Sequence, residues 1–80
     1  MVSDPGELRV LALGVLKRAA QGEGDLESMM WAAEILRRMA ELREAGVPMD
    51  LVASLLDAAM TGSELLVRAR PVIVLELSKG

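Results

Sequence analysis

The sequence predicts a mostly helical α+β fold, three helices followed by one C-terminal β-strand that pairs between subunits. Three observations carry this expectation. Up to about residue 61, apolar residues recur at three- and four-residue spacing between helix-capping residues. Residues 64–77, ELLVRARPVIVLEL, alternate like a strand, and no second strand exists for them to pair with. Backbone groups buried without a partner cost on the order of 1–3 kcal/mol each, so a second copy of the chain is the expected partner.

All 80 residues are assigned to a single domain, 1–80. A chain of this size buries only about 60% of the surface its unfolded form exposes. Its composition is 52% hydrophobic with one aromatic residue, Trp31, so the core has to be assembled from Leu, Val, Ala and Met.

The first helix is expected over 5–21. Asp4 stands at the N-cap, Pro5 at the first helical position and Glu7 where a carboxylate can reach back to the cap. Leu8, Leu11, Ala12, Val15, Leu16 and Ala19 form the apolar face, and Lys17 and Arg18 suit the dipole at the C-terminal turn. Gly14 costs about 1 kcal/mol relative to Ala, which a close helix crossing would explain. A strand over 7–16 is the competing reading.

A second helix is expected over 26–45, capped by Asp25 and ended by Gly46. Leu26, Met29, Ala33, Leu36 and Ala40 make one apolar stripe, and Trp31, Ile35, Met39 and Leu42 make another beside it. Together they cover roughly 220° of the helix, more than one neighbour can bury. The third helix, over 48–60, starts at Pro48 and ends at Thr61 and Gly62. Its polar residues Asp50, Ser54, Asp57 and Thr61 fall on one narrow line, leaving another wide apolar arc.

In the strand over 64–77, odd-numbered residues from Leu65 to Leu77 are apolar and face the helices. The even-numbered face pairs antiparallel with a second copy near Val72 or Ile73, which sets Glu76 opposite Arg68 or Arg70 and leaves Pro71 on the open edge. The expected oligomer interface is therefore Leu66, Arg68, Arg70, Val72, Ile73, Val74 and Glu76, with Trp31, Ile35 and Met39 from the second helix. The alternative is a short helix capped by Ser63 that stops before Pro71.

Chemistry finds little support in the residue types. Without Cys or His, zinc ligation, disulfides and conventional triads have no residues to use. Gly22 and Gly24 lack the lysine of a phosphate loop, and the carboxylates stand among arginines on solvated faces. A net charge of −3 argues against nucleic acid as partner. No apolar run reaches the roughly 18 residues needed to span a bilayer. The start MVSDPGEL lacks the pattern of a secretory signal, so a soluble, cytoplasmic protein without a targeting signal is expected.

The SDPGEL cap, the GEGD and GVPMD connections, the Ala/Leu/Glu/Arg-rich helices and the absence of Asn, Cys, Phe, His and Tyr give the chain a resemblance to computationally designed (de novo) α/β homo-oligomers. That resemblance implies a self-assembling scaffold without an evolved substrate. The functional expectation is a homodimer or higher closed oligomer with no catalytic activity, no cofactor or metal, no membrane and no small-molecule substrate, its partner being itself. The alternative is a small helical module that binds an apolar ligand or peptide through Met29, Met30, Met39, Met49 and Met60.

Overall fold

Helices in this protein begin where a side-chain oxygen meets amides that have no partner in the first turn. In the computed structural model, which describes residues 1–79, Asp4 accepts from the Glu7 amide at 3.0 Å and opens α1 (Pro5–Ala20). Asp25 accepts from the Ser28 amide at 3.0 Å and opens α2 (Leu26–Glu44), and Pro48 leads into α3 (Met49–Met60) with no side-chain cap. Ser63 accepts from the Leu66 amide at 3.3 Å and opens α4 (Glu64–Leu77). Gly46, at φ 90°, ends α2 in the left-handed region as its position anticipates.

The fourth helix overturns the α+β expectation. Residues 64–77 are helical throughout, and no β-strand occurs among the described residues. No strand pairing between subunits is therefore available. The alternation misleads because ELLVRARPVIVLEL is apolar at both periods. At 100° per residue, Leu65, Leu66, Ala69, Val72, Ile73 and Leu77 share one side, and Ala69, Ile73 and Leu77 on it are buried. β-branched residues lower helix propensity by only tenths of a kcal/mol each, which a buried face outweighs. Residues 7–16, where a strand competed, lie inside α1.

Pro71 sits within α4 and does not end it. Proline denies the Val67 carbonyl its usual amide, and that carbonyl is on the exposed side, where water can reach it. Pro71→Ala is expected to stabilise the protein by about 1–2 kcal/mol, the interior-proline cost less the flexibility regained by the unfolded chain. A thermal melt followed by circular dichroism should rise by several degrees; a fall would mean that the proline is packed to advantage.

α2 is the central element. α1 returns antiparallel to it through the 21–25 turn, and Arg9 reaches across the open end to Glu44, Nη2 to Oε1 2.6 Å. α4 packs on α2 as well and meets α1, where the Arg18 Nη2 lies 3.0 Å from the Glu76 Oε1 and the Val2 amide donates to the Leu77 carbonyl at 2.8 Å. The wide apolar arc of α2 is thus covered from two sides within one chain. α3 is the least embedded helix, with only Val52 and Met60 fully inside. Nothing lies within 4 Å of a methyl group placed at Gly14, so the close crossing expected there is absent.

Candidate functional site

The exposed area of 4774 Å² is close to the roughly 4700 Å² expected of a compact monomer of 8.6 kDa. What departs from the ordinary is where the apolar side chains stand. Twelve large ones are exposed, and those on helices recur at helical spacing rather than singly. Val10, Leu13 and Leu16 stand out from α1; Leu26, Met30 and Trp31 from α2; Leu51 and Leu55 from α3; Val67, Val74 and Leu75 from α4.

A concavity lies on the first turns of α2. Leu26, Met30 and Trp31 line an open depression of about 580 Å³, edged by Asp25, Glu27 and Glu34. Asp25 and Glu34 among these are held ionised. Two hydrogen bonds from Ser28, through hydroxyl and amide, keep Asp25 below its ordinary value. Glu34 is also lowered, chiefly by its hydrogen bond from Arg37 at 2.6 Å and further by Arg38. Arg37 also meets Glu41 at 2.6 Å, so this part of α2 is neutralised internally. Lys17 and Glu27 have no ion-pair partner among the described residues.

A second electrostatic cluster lies inside. Glu76 is buried, with Arg18 against one carboxylate oxygen and the Lys79 Nζ 2.6 Å from the other, the latter an ion pair off the line of a hydrogen bond. It joins α4 to α1.

Of the ten residues expected at an interface, Trp31, Arg68, Arg70 and Val74 are on the surface. Ile35, Met39, Ile73 and Glu76 are buried in the chain's own interior, and Leu66 and Val72 are half-buried. Arg70 spends its charge within the chain, 2.8 Å from the Asp57 carboxylate of α3. The structure brings Trp31 together instead with Leu26 and Met30.

Among known protein families, curated proteins and solved structures, the chain has no match. The site must therefore be read from its own residues. No group of three or more His, Cys, Asp or Glu suited to a metal ion occurs among the described residues, and no helix there is long and apolar enough to cross a membrane.

Surface residues absent from the expected interface include Val10, Leu13, Leu16 and Leu26, and Val67 and Leu75, expected to face the helices, are exposed as well. Val10 and Leu13 carried a signal. Neither belongs to the face made by Leu8, Leu11, Ala12, Val15 and Ala19, and two large apolar residues off the buried face of one helix call for a second neighbour.

Proposed function

We propose that this protein is a self-associating structural module, a homo-oligomer held together by apolar helix faces and without catalysis of its own. The observation that carries this reading is the recurrence of large exposed apolar residues at helical spacing on a chain already as compact as a monomer. Burying such faces yields roughly 25 cal/mol per Å², and another copy offers a surface of the same character. The association runs helix to helix, since α4 has no strand edge to offer.

Light scattering on the purified chain tests it directly. The expected result is a mass that is a multiple of 8.6 kDa and falls on dilution. A single 8.6 kDa species at every concentration up to millimolar would reject the reading.

The depression over α2 favours a second reading, a module that binds an apolar peptide or small molecule between Leu26, Met30 and Trp31. That module would be a monomer whose melting temperature rises when an apolar probe binds.

A further inference from the structure

The following inference rests on self-association and names the face that performs it. The Arg9–Glu44 ion pair fixes which flanks of α1 and α2 look in the same direction. At 100° per residue, Leu13, Leu16 and Ala20 lie within about 40° of Arg9 on α1, and Leu26, Met30 and Arg37 lie within about 40° of Glu44 on α2. The α1–α2 hairpin therefore has one outer face with two unlike halves. Beside the 21–25 turn it is apolar, with Leu13, Leu16, Leu26 and Met30 each 44–58% exposed. Beside the open end it is charged and internally paired, Arg9 with Glu44 and Arg37 with Glu34 and Glu41.

Two ions without an ion-pair partner among the described residues stand at opposite margins of the apolar half. Lys17 is on the α1 margin, next to Leu13 and Leu16. Glu27 is on the α2 margin, at the rim of the depression formed by Leu26, Met30 and Trp31. Counted outward from the turn, Leu16 and Lys17 stand level with residues 29–31 of α2, between Glu27 and Glu34.

We propose that a second copy docks on this face, hairpin against hairpin, about a twofold axis parallel to the helices. Such an axis lays α1 of each copy on α2 of the other and keeps both turn ends together, so apolar half meets apolar half. Lys17 then stands beside Glu27 of the partner subunit on the outer flank, and Leu16 meets Leu26 of the partner subunit and Met30 of the partner subunit. The product is a four-helix cluster, dry beside the turns and charged beside the open ends. Charge selects this occupant: the depression is edged by carboxylates, and the cation that answers them stands at the same level of the identical chain. Scale agrees as well. Two helices side by side offer a face about 24 Å by 20 Å, roughly 480 Å² a side, the scale of a weak interface that dissociates on dilution and one that a single helix does not reach.

The test is the dimerisation constant of the full chain by sedimentation, with circular dichroism as control for folding. Leu16→Asp is expected to weaken association at least about tenfold while leaving the helices intact. Lys17→Glu and Glu27→Lys should each weaken it about three- to tenfold, and the two together should recover most of that loss. Val74→Asp, on the exposed side of α4, should leave it unchanged. Dissociation by Val74→Asp but not by Leu16→Asp, or two charge reversals whose losses simply add, would overturn the docking face while leaving self-association in place. A monomeric unmodified chain would overturn both.

Discussion

Ile73→Asp is expected to unfold the protein, whereas Leu75→Asp, two positions along, is expected to leave it folded. Ile73 is 0% exposed and Leu75 is 61% exposed. Truncating a buried isoleucine costs about 2–5 kcal/mol, and a carboxylate left there without a partner adds several more. The whole fold of an 80-residue domain is worth only about 4–12 kcal/mol. Leu75 gives up little, since its side chain already meets water. The pair discriminates because a two-residue period would place both residues on the same inner face, while the helix separates them by about 200°. Urea unfolding followed at the helical circular dichroism band is the measurement. Equal damage at the two positions would contradict the helical assignment of 64–77.

Glu76→Ala is expected to be the most damaging change at any charged residue, about 2–4 kcal/mol. The Glu76 side chain is 3% exposed, and its removal leaves the Arg18 guanidinium, whose Nε already lacks a hydrogen-bond partner, facing an apolar interior. The lower end of that range applies, because Arg18 and Lys79 both reach solvent. Burial by itself pushes the Glu76 carboxyl upward; the Lys79 ammonium and the Arg18 guanidinium beside it outweigh that and hold the group below its ordinary 4.5. Between the folded and unfolded values the unfolded chain binds the extra proton. The stabilisation is therefore complete above the unfolded value and is lost as pH falls through the folded one. Asp25, Glu34 and Glu44 are lowered too and act with the same sign, though from solvent. The urea midpoint should be flat from about pH 6 to 8 and drop below about pH 4.5, and Glu76→Ala should flatten part of that drop. An unchanged acid slope in the variant would remove Glu76 from this role.

The first two helices could be placed from their caps, because a capping residue acts on amides two or three positions away, and the third from Pro48, which cannot continue a helix interior. Asp4, Asp25 and Gly46 do locally what they do in any chain. Residues 64–77 failed for the opposite reason. Their two periodicities differ in whether Val67, Pro71 and Leu75 or Leu66, Val72 and Glu76 turn inward, all apolar choices but the last. The partner that makes Glu76 acceptable there, Arg18, lies far away in sequence on another helix. The Ser63 cap was visible, but continuation of the helix through Pro71 depends on the outward placement of that turn. The interface inference suffered similarly. The breadth of the α2 apolar arc was read correctly as needing two neighbours, yet α1 and α4 supply both within the chain. The surface left over on α1 and α2 emerges only after that covering is known.

Trp31 is the only aromatic residue in the chain and is 40% exposed on α2, at the rim of the proposed docking face. Intrinsic fluorescence in this protein therefore reports on an outer surface rather than on the core. Docking of a second copy would move the indole from water into a drier setting and shift its emission to the blue at constant helix content.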